Sequence, residues 1–494
     1  MSAPTITSLG ELKKSGYKSR SIKDELRENL VSSLREGKNV FAEIHGFENS
    51  VIPDLERAIL SGHNINFLGL RGQAKTKLAR LMTRLLDEYT PAVAGSELND
   101  DPLEPISMTA RQIIAEKGDD TPVHWIHRNE RYYEKLATPD VTVADLIGDV
   151  DPIKAANLKL SYADERVIHY GMVPRANRSI FVINELPDLQ ARIQVALFNI
   201  LQEGDIQIRG FKLRLNLDIQ FVFTANPEDY TNRGSIVTPL KDRIGSQILT
   251  HYPESIEVAR KITGQEARIK NEQEQSVVVP DMARNLLEQV AFEARENEYI
   301  DAKSGVSARL TISAMENLYS AAERRNLING SKKTSLRLMD FLGIVPSLTG
   351  KVELVYEGEQ EGSLEVAEHL IASAVKSMLG EYLPEMDRLK SGDKDNPYHE
   401  LIEWFGKGRS IELLTDFTDS EYQKALDDIE PLTSLIEKHA GKLDKESQYF
   451  LKEMALWALA EHSKLNKERI VNGFNFSDLF STYLRGGKID LDMN

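Results

Sequence analysis

The 494-residue chain contains no cysteine. That excludes disulfides, thiolate metal sites and a cysteine nucleophile. No apolar run approaches the ~20 residues that a membrane span requires. The opening MSAPTITSLGELKKSGYKSR has no apolar stretch after its charges, so no secretory signal is expected and a cytoplasmic location fits. Positive charge is also short: 61 Lys and Arg stand against 77 Asp and Glu, a net charge of −16. A broad nucleic-acid surface needs clustered cations to meet phosphates, so nucleic acid is not an expected partner; a local basic channel in an assembled ring stays open. Internal repeats and low-complexity tracts are absent as well.

What is present is an ordinary globular composition, 41% hydrophobic and 28% charged. The length is too great for one core, and two or three domains are expected. Residues 20–37 carry apolar residues at helical spacing and end in Gly37, which reads as an amphipathic helix within an N-terminal extension over 1–37. From 38 to 254, short apolar runs alternate with helical stretches, the pattern of a parallel sheet wrapped by helices. The runs are NINFLGL (64–70), HWIHR (124–128), SIFVINE (179–185) and IQFVFTAN (219–226), and 91–121 reads as a loop. Beyond 255 the periodicity is helical, predicting a helical segment over 255–350 and a helical C-terminal domain over 351–494.

The strongest chemical signal is GLRGQAKT, that is Gly69, Leu70, Arg71, Gly72, Gln73, Ala74, Lys75 and Thr76. It follows an apolar strand and opens a helix, the context of a phosphate-binding loop. Glycines let the backbone wrap phosphates so that amide N–H groups face the negative charge. Lys75 would reach the β- and γ-phosphates of ATP, and the Thr76 hydroxyl would ligate Mg²⁺. Ala74 stands where the general pattern has glycine, a mild departure provided its φ is negative.

IFVINELPDL (180–189) departs further. Such strands usually end in Asp then Glu; here Asn184 precedes Glu185. Asn184 keeps an oxygen for a metal-bound water but lacks the charge, while Glu185 is placed to polarise an attacking water. Asn226 ends the next strand, where a neutral amide can hold that water. Arg243 in LKDRIG and Arg309 in GVSARLTI could each stabilise charge on a transferring phosphoryl group.

These segments resemble the AAA+ ATPases, specifically the branch of MoxR-type ATPases and the ATPase (I) subunit of magnesium chelatase. The G-x-x-G-x-A-K-T loop, Ala included, looks like MoxR proteins. MVPRANRSIFVINELPDL (172–189) is similar to the chelatase approach to its Walker B strand, and TANPEDYTNRGSIVTPLKDRIG (224–245) to its sensor 1 to arginine-finger segment. The resemblance implies a P-loop AAA+ α/β nucleotide domain, an α-helical lid and an α-helical C-terminal domain. It makes 69–76 the Walker A loop, 184–185 Walker B, Asn226 sensor 1, Arg243 the arginine finger offered to a neighbouring subunit and Arg309 sensor 2 of the lid. It further implies ATP and Mg²⁺, a homo-oligomeric ring of six, and a partner carrying a von Willebrand factor A domain. Residues 140–160 fall where that branch inserts a helix, and DIQIRGFKLRLNLD (205–218) reads as a β-hairpin about Arg209-Gly210-Phe211. The expected function is Mg-dependent ATP hydrolysis driving remodelling or metal insertion in a client; the alternative is a nucleotide-binding assembly scaffold.

Other motifs weigh less. In HWIHRNE, His124 and His127 fall on opposite faces of a strand, so a metal site with Glu130 is not expected. The acidic stretch from Asp416 to Glu430 lacks calcium-loop spacing and reads as a solvated helix face. The stripe in FLKEMALWALAEHSKL (450–465) reads as core.

Overall fold

The computed structural model describes residues 4–161, 164–203, 206, 215–227, 236–386 and 396–479. The chain divides into two compact units, Met1–Tyr252 and Pro253–Asn494.

The first unit is built on five parallel strands, β1 (Ile65–Leu68), β2 (Tyr132–Leu136), β3 (Ser179–Asn184), β4 (Ile219–Ala225) and β5 (Ser246–Leu249). Their spatial order is β2-β3-β4-β1-β5. All four pairings are parallel, with Phe67 opposite Thr224 and Ile248, Val182 opposite Val222, and Leu136 opposite Asn184. A parallel sheet is covered on both faces, which is why the central strands β3 and β4 are almost unbrokenly apolar. Alternate residues go to opposite layers. Ile65, Phe67, Ile180, Val182, Val222 and Ile248 pack against the helices Ile22–Arg35 and Val51–Leu60. Phe181, Ile183, Phe221 and Phe223 pack against the helix Ala191–Glu203 and Leu240.

Ile22–Arg35 is the amphipathic helix expected near 20–37. Ser21 caps it by accepting from the Asp24 N–H, and Ile22, Leu26 and Leu30 are buried at four-residue intervals. It is fixed to the sheet by a buried ion pair. Arg131 Nη1 and Nη2 donate to the two oxygens of Glu25 at 2.7 and 2.6 Å, and Arg131 Nε donates to the Arg178 carbonyl.

The structure corrects two readings of this unit. HWIHR is not in the central sheet: Val123–His127 pairs antiparallel with Tyr89–Val93, and the next strand, Tyr132–Leu136, takes the place beside β3. That strand and β5 are sheet edges and only partly buried, so neither shows the continuous apolar run that betrays β3 and β4. Segment 91–121 is not all loop; it contains the helix Met108–Lys117, capped by Ser107, of which only Ala110 is buried. The stretch 140–160 carries the helices Val143–Leu146 and Pro152–Leu158, joined by a short strand, Gly148–Val150, paired with Ile168–Tyr170. The tip of the hairpin anticipated over 205–218, with Arg209, Gly210 and Phe211, lies outside the described residues.

In the second unit, helices that include Asp281–Glu296, Arg309–Ile328, Ser363–Leu379 and Lys445–Glu461 surround a hydrophobic core that runs from Val277 to Phe476. Trp457 and Phe450, from the apolar stripe, lie inside it. The C-terminal portion is helical as expected but also holds a small antiparallel sheet of Ile411–Leu414, Gly473–Ser477 and Asn466–Ile470. A two-residue turn, Val471-Asn472, joins the last two strands in sequence. Among the described residues no helix is long and apolar enough to cross a membrane.

Candidate functional site

The loop Gly69–Ala74 leaves the end of β1 and enters the helix Lys75–Leu81. It is tied to the ends of two neighbouring strands. The Gly69 N–H donates to the Ala225 carbonyl, and the Thr250 hydroxyl, one residue past β5, donates to Gln73 Oε1 at 2.7 Å. The Tyr252 hydroxyl donates to the Arg71 carbonyl. A Cβ on Gly69 would come within 2.0 Å of Thr250 Oγ1 and 2.2 Å of Gln73 Oε1, so any side chain there would break the Thr250–Gln73 hydrogen bond. Gly72 has φ +75, where glycine is unstrained.

Ala74 has φ +53 and ψ +16, the left-handed region. The proviso of a negative φ is therefore not met, and the residue holds a turn that glycine would hold without cost. For an L-residue that conformation costs about 1–2 kcal/mol. Lys75 follows, and its Nζ donates to the carbonyls of Gly69 and Leu70 and, at 2.8 Å, to Asn226 Oδ1. Asn226 is buried immediately beyond β4. Two sequence candidates 151 residues apart are thus in direct contact.

Thr76 donates to Asn184 Oδ1 at 3.3 Å. The same oxygen accepts from the Thr224 hydroxyl at 3.1 Å, while Asn184 Nδ2 donates to Glu134 Oε1 at 2.7 Å. Glu134 Oε2 in turn accepts from Arg80 at 2.9 Å and from the Tyr132 hydroxyl at 3.2 Å. Burial, with the Glu134 carboxylate beside it, holds the Tyr132 phenol above its ordinary pKa. The Thr76 hydroxyl and the Asn184 amide oxygen are hard oxygen ligands of the kind Mg²⁺ takes when phosphates supply further ligands.

Glu185 follows β3 and is half-buried with φ +57 and ψ +48, a second left-handed residue. Its N–H donates to Thr224 Oγ1 at 3.1 Å. Non-glycine residues persist in this region only where their surroundings over-determine them, and such positions cluster at functional sites. Arg243 is the exposed last residue of the helix Thr238–Arg243; it pairs with Asp242 and lies 5.1 Å over the Phe198 ring. Arg309 belongs to the second unit, where it is exposed at the start of Arg309–Ile328.

Lys75, Thr76, Asn184, Glu185 and Asn226 therefore gather at the C-terminal ends of β1, β3 and β4, the edge of an open α/β sheet where ligands bind. Sequence reasoning missed Glu134 and Thr250, which belong to no local motif, and Thr224, which opens the segment 224–245 but was given no role. His127, weighed earlier for metal, instead packs edge-on against Tyr89 and accepts from the Asn129 N–H.

The family described as the Sigma-54 interaction domain matches residues 158–245, the stretch that holds β3, β4, Asn184, Glu185, Asn226 and Arg243. No curated protein matches the chain. Among solved structures, a provisionally assigned ATPase from Cytophaga hutchinsonii is 17% identical with a TM-score of 0.28, covering 73% of this chain and 97% of that one. A complex of subunits BchI and BchD of magnesium chelatase gives 19%, 0.34, 65% and 98% in the same order. A RuvB mutant from Thermotoga maritima gives 11%, 0.34, 90% and 96%. At these identities and TM-scores none of the three bears on the reaction or the partners of this chain. The strand order, the phosphate-loop geometry after β1 and the family match give the first unit the fold of an AAA+ ATPase-like domain.

Proposed function

We propose that the chain is a Mg-dependent ATPase working as a ring motor. The reading rests above all on the contact of Lys75 with Asn226 and of Thr76 with Asn184, which brings three strand tips and the loop to one point. In this reading Lys75 exchanges its carbonyl and amide partners for the β- and γ-phosphates, a charge-assisted interaction stronger than those it replaces. Thr76 and Asn184 would hold the cation through the Thr76 hydroxyl and the Asn184 amide oxygen. Bound Mg²⁺ would offset the negative charge of the β- and γ-phosphates. Glu185 takes the proton of an attacking water, and Asn226 orients that water. Arg243 completes the site of a neighbouring subunit, and Arg309 serves as sensor 2 of a helical lid formed by 255–350.

The ring, a hexamer, would pass its cycles to a client through a partner carrying a von Willebrand factor A domain, either remodelling that client or inserting metal into it. The testing experiment is steady-state hydrolysis of ATP at saturating Mg²⁺ by assembled protein with its partner. Slow but real turnover is expected. No turnover under those conditions leaves a nucleotide-binding scaffold.

A further inference from the structure

An asparagine at the end of β3 presents a difficulty that an aspartate does not. Its side chain has one end that accepts and one that donates, and a donor turned toward a cation repels it. The contacts around Asn184 resolve the choice. Glu134 can only accept, and it takes the Nδ2 end at 2.7 Å. The Oδ1 end is thereby turned to Thr76 and Thr224. Glu134 is on β2, two residues before Leu136, which pairs with Asn184, so alternation puts it on the face toward which the amide turns.

The carboxylate is itself fixed by Arg80 and Tyr132. The Arg80 side chain is 67% exposed and that of Glu134 28% exposed, so solvent screens the cation more than the anion.

We infer that Glu134 is a positioning residue for the divalent cation. It supplies, one hydrogen bond behind Asn184, the negative charge that the strand end lacks, and it holds the amide oxygen toward Thr76. The inference rests on the reading of this site as one for ATP with Mg²⁺. Coulomb attraction falls with distance, so a carboxylate set back behind an amide holds the cation less firmly than one at position 184 would.

The test is Mg²⁺ titration of the binding of a fluorescent, slowly hydrolysed ATP analogue to the full chain, with a parallel titration in EDTA. Glu134→Gln keeps the shape and an acceptor oxygen but removes the charge. It should raise the Mg²⁺ needed for half-maximal binding by about tenfold, and leave metal-free nucleotide binding and the thermal midpoint unchanged. Glu134→Ala, which also frees the amide to turn, should shift it further. Glu134→Gln combined with Asn184→Asp moves the carboxylate one bond nearer and should bring the requirement to or below that of the wild type.

An unchanged Mg²⁺ requirement in folded Glu134→Gln overturns the inference while leaving the ATPase reading in place. Failure of the wild type to bind the analogue, or binding indifferent to Mg²⁺, removes both. Should Glu134→Gln not fold, Glu134→Asp withdraws the charge by one methylene. A smaller rise is then expected, and no rise overturns the inference.

Discussion

Two residues beside the loop and the strand tips hold left-handed backbone without being glycine, and they call for opposite substitutions. Ala74 has no side-chain chemistry to justify its φ of +53. Ala74→Gly removes about 1–2 kcal/mol of strain but adds about 0.4–1 kcal/mol of unfolded-chain freedom. A net gain of up to about 1.5 kcal/mol is expected, readable as a higher denaturant midpoint; a loss of stability would show that the turn carries no strain. Glu185 holds φ +57, and under the ATPase reading its carboxylate is the group that takes the proton of the attacking water. Glu185→Gln should bind ATP with near-normal affinity and fail to turn it over, measured by calorimetry and phosphate release on the same preparation. Lys75→Ala should lose nucleotide binding, and an unchanged calorimetric affinity would place the nucleotide elsewhere.

At the scale of elements, the N-terminal helix and the sheet are joined by Glu25 and Arg131, which are 4% and 1% exposed. Removing one partner of such a pair strands a buried charge, whereas removing both does not. Arg131→Met should cost about 3–5 kcal/mol, and adding Glu25→Leu should recover most of it; additive losses in the double-mutant cycle would mean that the two side chains are not energetically coupled. The same scale shows what the sequence made legible. SIFVIN and IQFVFTA could be read as strands of a parallel sheet because burial on both faces leaves no polar alternation. YYEKL and SQIL could not, since an edge strand is only half covered. Arg175-Ala176-Asn177-Arg178 was noticed as a resemblance, but its physical use emerged only in three dimensions: Arg178 pairs with Asp101, and Asn177 Nδ2 donates to the Leu98 carbonyl. The loop and the strand tips of the site were visible because their spacing is local. Glu134 and Thr250 were not, because their partners lie 50 and 177 residues away and nothing nearby marks them.

For the molecule as a whole, acid and assembly give separate readouts. Burial pushes the Glu453 carboxyl up to about 7, and its Oε2 accepts from the Tyr422 hydroxyl and the Leu338 N–H. The unfolded carboxyl ionises near its ordinary value of 4.5. The native state thus binds the extra proton between these values, and the stability this provides is present below pH 4.5 and lost as pH rises through about 7. Glu453→Gln should flatten that decline, so its thermal midpoint should gain on the wild type from pH 5 to pH 8; parallel profiles would refute the shift. Under the ring proposal, Arg243→Ala and Glu185→Gln should each be inactive alone yet regain partial turnover when co-assembled, since some interfaces then contain both groups. No rescue in verified mixed rings would count against a shared site. The strand order has one more effect, on timing. β1 is made first of the five but lies between β4 and β5, and Thr250, which braces its loop, comes 182 residues after Leu68. At the roughly 5–20 residues per second of synthesis, that interval lasts about 10–40 s. A growing chain must therefore carry the unfinished middle of its sheet, apolar and unpaired on both edges, until β4 and β5 emerge, and the brace that Thr250 gives the loop after β1 is among the last contacts the first unit can form.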